Sequence, residues 1–353
     1  MILILPENHN PGISRFVPRL QSEGYRTCLF NTSKGRVCTI LNADATGMER
    51  LRLLDLYASP APQDVPYVLA SRSIKDTGTQ IDMGRGVTMG GDSLCVIAGP
   101  CSIESETQIM EAAETVRESG ASILRGGAYK PRSSPYAFQG MGLDGLRLLR
   151  KAGDRFGLPI ITEVLDQDDI PVVEEYSDII QIGARNCQNF SLLKKVGRTR
   201  KPVLLKRGMM VTIEEFLLAA EYLLAEGNLN VILCERGIRT FETETRNTLD
   251  ISAVPLLKQR THLPVIVDPS HAAGTWKLIH PLSLAAVAAG ADGLMVEMHP
   301  HPESALCDGK QSLRPDRFMA LMGSIGPMAR LVGKEVRGPS YTETSLTAGP
   351  VST

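Results

Sequence analysis

Between residues 94 and 333, short β-branched apolar runs alternate with amphipathic stretches of helical period eight times over, and that rhythm leaves few architectures open. The runs fall at 94–99, 121–126, 158–164, 178–184, 202–207, 230–235, 263–268 and 293–297. They show no polar face, as expected of strands buried on both sides. Helical stretches such as 106–119, 143–156, 213–225 and 281–289 separate them, and 314–331 follows the last. Eight such repeats in one chain predict an α/β fold, a closed (β/α)8 TIM barrel over residues 93–333. An open doubly wound sheet fits less well, because no Gly-x-Gly-x-x-Gly turn follows the first run.

The segment ahead of the barrel has a different order. Apolar periodicity at 2–5, 11–25, 27–30, 37–41, 46–56 and 66–70 reads as strand, helix, strand, strand, helix, strand. This predicts a small βαββαβ ferredoxin-like domain over 1–73, with a regulatory or oligomerising role or simply that of a structural cap. Residues 74–92 read as a linker whose stretches 79–83 and 86–89 form a hairpin closing the barrel bottom. The tail, 334–353, is rich in Ser, Thr, Gly and Pro without periodicity, and is expected to be flexible.

Composition removes several function classes. Lys and Arg total 38 against 39 Asp and Glu, so the chain lacks the basic excess of a nucleic-acid binder. No apolar run reaches the roughly 18 residues of a membrane span, and the start lacks the cationic flank of a signal peptide, which predicts a cytoplasmic protein. Seven scattered cysteines, an odd number without a close CxxC pair, read as reduced and mostly buried.

Barrel chemistry gathers where strands end. The expected ends bring Arg125, Lys130, Arg132, Arg185, Lys206, Arg207 and Arg236 to one mouth, against the carboxylates Glu163, Glu235 and Asp268. Any one Arg reads as well as half of an internal ion pair. The excess of the set points to substrates carrying phosphate and carboxylate groups. Cys101, His271, Glu297 and Asp308 resemble a metal site, and they converge only if the eighth strand pairs with the first. That mixed soft and hard set suits one divalent Mn, Fe, Co or Zn ion. Cys101 alone reads equally as a buried small residue, and His299 and His301 are rival ligands.

The stretches Ile97-Ala98-Gly99-Pro100-Cys101-Ser102, Arg125 through Tyr136, Gln181-Ile182-Gly183-Ala184-Arg185-Asn186, Leu205-Lys206-Arg207-Gly208, Cys234-Glu235-Arg236-Gly237 and Asp268-Pro269-Ser270-His271 resemble 3-deoxy-D-arabino-heptulosonate 7-phosphate (DAHP) synthases of the type I beta group. Some members carry a ferredoxin-like regulatory domain, which the N-terminal unit resembles. The resemblance implies condensation of phosphoenolpyruvate with erythrose 4-phosphate, the first step of the shikimate pathway to chorismate and the aromatic amino acids. It implies Cys101, His271, Glu297 and Asp308 as metal ligands. Arg125, Lys130, Arg185, Lys206 and Arg236 would hold phosphoenolpyruvate with Glu163 and Ala184 beside them, and Lys130, Pro131, Arg132 and Ser133 would meet the aldose phosphate. Lys130, Glu163 and His271 are the expected catalytic residues. A homo-oligomer, tetramer or dimer, and an aromatic amino acid effector are further implications.

Departures from the family pattern are few: Ser133 in place of Thr, Cys307 where Ser is common, and Ala272-Ala273 after the histidine. Rival readings are a 3-deoxy-octulosonate 8-phosphate synthase using arabinose 5-phosphate, and a non-catalytic effector-binding barrel. Lys130-Pro131-Arg132-Ser133 argues against the first, whose family resembles a Lys-Ala-Asn-Arg-Ser pattern there.

Overall fold

The computed structural model describes residues 2–44, 46–61, 65–132 and 134–339. Its first unit contains β1 (Leu3–Pro6), α1 (Val17–Ser22), β2 (Thr27–Thr32), β3 (Gly35–Ile40), α2 (Gly47–Leu53) and β4 (Ser59–Pro60). The four strands form one sheet in the order β2-β3-β1-β4, with every pair antiparallel. Alternation sorts their side chains by face. Leu3, Leu5, Cys38 and Ile40 pack with Ile13, Leu20 and Leu51 into a core of their own. Cys28 and Phe30 of β2 point the other way, into the apolar cluster of the large domain.

The last strand of this unit lies at Ser59–Pro60 and not at 66–70, where the apolar run predicts it. That run is buried for another reason. Tyr67, Leu69 and Ala70 pack onto the barrel, and the amides of Leu69 and Ala70 donate to the Glu221 carboxylate at 2.8 and 2.9 Å rather than to a neighbouring strand. The same seam holds His262, whose Nε2 lies 2.7 Å from the Leu69 carbonyl and whose Nδ1 lies 2.8 Å from Thr79 Oγ1. Burial pushes the pKa of His262 down to about 4.

A hairpin of β5 (Ile81–Gly84) and β6 (Val87–Met89) follows. Ile81, Met83, Val87 and Met89 insert among Ile97, Ile123, Ile161, Ile179, Leu204, Ile232, Ile266 and Met295, one residue from each barrel strand. The hairpin therefore stoppers the barrel end opposite the strand C-termini.

The barrel strands are β7 (Ser93–Gly99), β8 (Ile123–Arg125), β9 (Ile160–Val164), β10 (Ile179–Ile182), β11 (Val203–Lys206), β12 (Val231–Glu235), β13 (Val265–Val267) and β14 (Gly293–Glu297). All pair in parallel with their sequence neighbours, and β14 pairs with β7 from Gly293↔Cys95 to Glu297↔Gly99, which closes the ring. Between them run α3 (Glu106–Glu118), α4 (Leu143–Phe156), α5 (Ile170–Tyr176), α6 (Phe190–Val196), α7 (Ile213–Ala225), α8 (Ala253–Arg260), the short α9 (Pro269–Ala273) and α10 (Ile279–Ala288), with α11 (Pro315–Leu331) after β14. On β7, Leu94, Val96 and Ala98 face these helices while Cys95 and Ile97 face the lumen. Both sets are fully buried, which explains the uninterrupted apolar runs in the sequence.

Residues 334–339, expected in the aperiodic tail, instead dock on the barrel. Lys334 Nζ donates to the buried Asp292 at 2.9 Å, and β15 (Glu335–Val336) adds in parallel to β7. The remainder of the expected tail, 340–353, lies outside the described residues. Among the described residues no helix is long and apolar enough to cross a membrane.

Candidate active site

The strand ends surround a cavity of about 410 Å³. Two glycines make room for it. Gly99 ends β7 at φ 140, where a Cβ would meet the Arg125 carbonyl at 2.2 Å, and a Cβ on Gly183 would occupy the place of the Glu163 carboxylate. Arg125 closes β8 and Lys206 closes β11, so both side chains leave strands at the rim and both are almost fully buried. Arg236, one residue beyond β12, joins them.

These cations are not equally engaged. Lys206 Nζ donates to Asp268 Oδ2 at 2.5 Å. Arg207, counted above among the site cations, is committed to the scaffold: its guanidinium lies 2.8 Å from Glu235, 2.9 Å from Asp250 and 2.9 Å from the Val211 carbonyl. It does not line the cavity, and it neutralises one of the three carboxylates set against the group. By contrast, Arg125 and Arg236 each keep a buried Nη1 with no hydrogen-bond partner. Burial holds the Arg236 guanidinium below its ordinary pKa. A buried N–H without an acceptor costs about 1–3 kcal/mol, more for a charged group, so these two residues, on opposite sides of the ring, carry donors that an anion between them would satisfy.

Asp268, one residue beyond β13, organises the part of the rim next to Arg236. Its Oδ1 accepts the His271 amide at 2.9 Å and its Oδ2 accepts His271 Nδ1–H at 2.7 Å. Burial alone would raise this carboxyl, but His271 and Lys206 hold it well below the usual carboxylate range. Burial likewise pushes His271 down to about 4, so the ring is neutral at neutral pH, with the proton on Nδ1 and a lone pair on Nε2. That lone pair faces Glu297 Oε1 at 3.4 Å. Glu297 is fully buried, and its Oε1 has an ion pair with Arg125 Nη2 at 3.2 Å but no hydrogen bond. Two lone pairs face each other with no proton between them, which is the arrangement a cation resolves.

Ligand atoms of His271, Glu297 and Asp308 lie within 4.8 Å of one another, and so do those of Cys101, Cys307 and Asp308. The ring closure between β14 and β7 thus brings the four residues singled out as metal ligands to one rim, in two groups that share Asp308 and not as a single cluster of four. The donor set of imidazole, thiol and two carboxylates fits a divalent transition ion. Outer contacts orient it: Gln311 Nε2 donates to Glu297 Oε2 at 2.6 Å, and Arg246 lies 3.4 Å from Asp308 Oδ1 and 2.8 Å from Gln311 Oε1. The rival histidines stand elsewhere. His299 is buried beside Glu104 at 3.5 Å, and His301 is exposed near Glu111.

Lys130 Nζ donates to the Cys101 carbonyl at 3.0 Å and to Cys101 Sγ at 3.1 Å. Burial would lower its pKa, but the neighbouring Cys101 and Glu163 raise it, so the ammonium is kept. Pro131, Arg132, Glu163, Ala184 and Arg185 also line the cavity, whereas Ser133 lies outside the described residues. Sequence reasoning missed Gln181, Arg239, Arg246 and Asn247 on this wall. Three of the four sit in the long loop between β12 and α8, and the length of that aperiodic loop was the available signal.

The family described as DAHP synthetase I matches residues 76–328. A Thermotoga maritima protein named phospho-2-dehydro-3-deoxyheptonate aldolase is 49% identical over 338 residues, covering 95% of this chain and all of that one. The crystal structure of that named enzyme from Thermotoga maritima, also called DAHP synthase, superposes with a TM-score of 0.76 at 48% identity, over 95% of this chain and 99% of that one. A 2-dehydro-3-deoxyphosphooctonate aldolase from Geobacter sulfurreducens is 33% identical over 70% of this chain and 96% of its own. With the barrel strands and the cavity-lining residues inside the matched region, the chain belongs to the DAHP synthetase I family.

Proposed function

We propose that this protein is a metal-dependent DAHP synthase of the type I beta group. It condenses phosphoenolpyruvate with D-erythrose 4-phosphate and water to give 3-deoxy-D-arabino-heptulosonate 7-phosphate and inorganic phosphate. The observation that carries the reading is the pair of buried, partnerless guanidinium donors on Arg125 and Arg236, two residues lining the same cavity as His271 and Asp308 of the metal-ligand cluster. The heptulosonate relative matches across nearly the whole chain, while the octulosonate relative stops at 70% of it.

In this reading Arg125, Arg185, Lys206 and Arg236 hold the phosphate and carboxylate of phosphoenolpyruvate, with Ala184 beside them. Lys130, Pro131, Arg132 and Ser133 hold the aldose phosphate. Cys101, His271, Glu297 and Asp308 hold one divalent ion, of Mn, Fe, Co or Zn, which supplies Lewis acidity toward the aldehyde. The enol donor forms a bond from C3 to the aldehyde carbon, and Lys130, standing beside Cys101, gives a proton to the developing alkoxide. Water adds at C2 with Glu163 accepting one proton, and as the C2–O bond to phosphate breaks the new C2 hydroxyl becomes the ketone, its proton leaving with the phosphate. Gln181 Nε2, 3.2 Å from Glu163 Oε2, keeps that carboxylate in place.

The test is turnover with both aldoses before and after chelation. Erythrose 4-phosphate should be consumed at least about a hundredfold faster than arabinose 5-phosphate, matching the discrimination a few misplaced contacts can supply. Chelation should abolish the activity and a divalent ion should restore it. Preference for the pentose phosphate, or full activity without metal, would refute the reading.

Residues 1–73 form, on the same proposal, a ferredoxin-like regulatory domain of a homo-oligomer, with an aromatic amino acid as effector. Their own core of Leu3, Leu5, Ile13, Leu20, Cys38, Ile40 and Leu51 supports a separable unit. Deleting 1–70 is expected to leave an active enzyme that Tyr or Phe no longer inhibits. Persistent inhibition in a steady-state assay would contradict the assignment.

A further inference from the structure

Cys307 has no part in the ligand set described so far, yet its thiol lies 3.2 Å from Cys101 Sγ. The chain path explains the approach. Asp308 adopts φ 54 and ψ 28, a left-handed conformation uncommon outside glycine that costs a non-glycine residue about 1–2 kcal/mol. Through that turn two successive side chains reach the same thiol, since Asp308 Oδ2 is also 3.4 Å from Cys101 Sγ. An extended backbone would send them to opposite sides. The result is two groups of three ligand atoms that share Asp308: a harder one with His271 and Glu297, and a softer one with Cys101 and Cys307.

We propose that Cys307 gives this chain a second, softer metal seat, Cys101–Cys307–Asp308, which takes a thiophilic divalent ion such as Zn²⁺ or Cd²⁺ through both sulfurs. The proposal rests on the metal-dependent reading above and deepens it. Soft thiolates select zinc-like ions, whereas carboxylate and imidazole accept manganese, so the two seats differ in the ions they favour. Each thiol gives up its proton to solvent as it binds. The softer seat also has a consequence for the substrates. Lys130 Nζ donates to Cys101 Sγ at 3.1 Å, and Arg132 Nη1 donates to Cys307 Sγ at 2.6 Å. An ion held by both sulfurs uses one lone pair of each and sets its positive charge directly against those two cations, pushing them from the sulfurs. Lys130 and Arg132 are the groups assigned to the aldose phosphate, so a thiophilic ion on both sulfurs binds tightly while weakening the aldose site, whereas an ion in the four-residue set leaves Cys307 and its contact with Arg132 in place.

The test uses the full chain, stripped of metal and kept reduced, titrated with Cd²⁺ while the ultraviolet thiolate-to-cadmium charge-transfer band is followed. The native chain should show about twice the absorbance per bound ion of Cys307→Ser, because two sulfurs are ligated instead of one. Cd²⁺ affinity should fall about tenfold or more in that variant, while Mn²⁺ affinity, read from the spin resonance of free Mn²⁺, stays within about twofold. Equal absorbance per ion in the two proteins overturns the second seat. If in that case Cys101→Ser abolishes the band, the four-residue set survives and only the role of Cys307 is lost. If Cys101→Ser keeps a full band, Cys101 is not a ligand and the metal set proposed for catalysis falls as well.

Discussion

Replacing Lys130 with Ala is expected to lower kcat by two to four orders of magnitude, the range typical of a positioned general acid, with a much smaller change in the KM for phosphoenolpyruvate. An ammonium has three N–H donors. Lys130 spends two on the Cys101 carbonyl and sulfur, which leaves one for a substrate oxygen beside the metal ligands. The site keeps the proton there, because Cys101 and Glu163 outweigh the burial that would drive it off. Contact with Cys101 makes one control necessary, since a variant that merely lost metal would also be slow. The measurement is kcat at full metal occupancy, with metal content determined alongside. A loss smaller than about tenfold under those conditions would remove Lys130 from proton transfer.

The barrel was legible because its strands are buried on both faces, so each appears as an unbroken apolar run whose end marks the mouth. Legibility failed where burial has another cause. Residues 66–70 are apolar because they dock on α7 and the barrel surface, with their amides taken by Glu221, and a period-2 reading cannot separate that from a strand. The same limit governs the site. Arg125, Lys206 and Arg207 look alike as strand-end cations, but Arg207 is neutralised by Glu235 and by Asp250, whose approach depends on a loop without periodicity. Arg246 was missed for the converse reason, being carried to Asp308 and Gln311 by that same loop. The convergence of Cys101, His271, Glu297 and Asp308 was foreseeable, because it depends only on which strands neighbour each other in a closed ring. The approach of Cys307 to Cys101 was not, since it depends on one left-handed residue.

The largest combined effect on folding and metal binding is expected from Asp268→Asn, a change that alters neither size nor shape. Asp268 accepts three donors while fully buried: Lys206 Nζ, His271 Nδ1–H and the His271 amide. An amide side chain offers one acceptor atom in place of two, so its NH2 must face at least one of those donors, and Lys206 loses its anion inside the protein. Breaking a buried pair from one side costs about 3–5 kcal/mol. The imidazole simultaneously loses the acceptor that fixes its tautomer, for which about 10–100-fold in metal affinity is the usual penalty. Denaturant unfolding of the metal-free chain and a metal titration read the two losses separately. The pH dependence supplies the sign. The folded-state carboxyl is depressed, so its contribution is present above the unfolded value of about 3.9 and disappears as pH falls through the lower folded value. The native chain should therefore exceed Asp268→Asn by its full margin near pH 7, and the two should converge as pH falls below about 4. A margin under about 1 kcal/mol at neutral pH, or one unchanged by acid, would show that Asp268 is not the charge that holds this wall together.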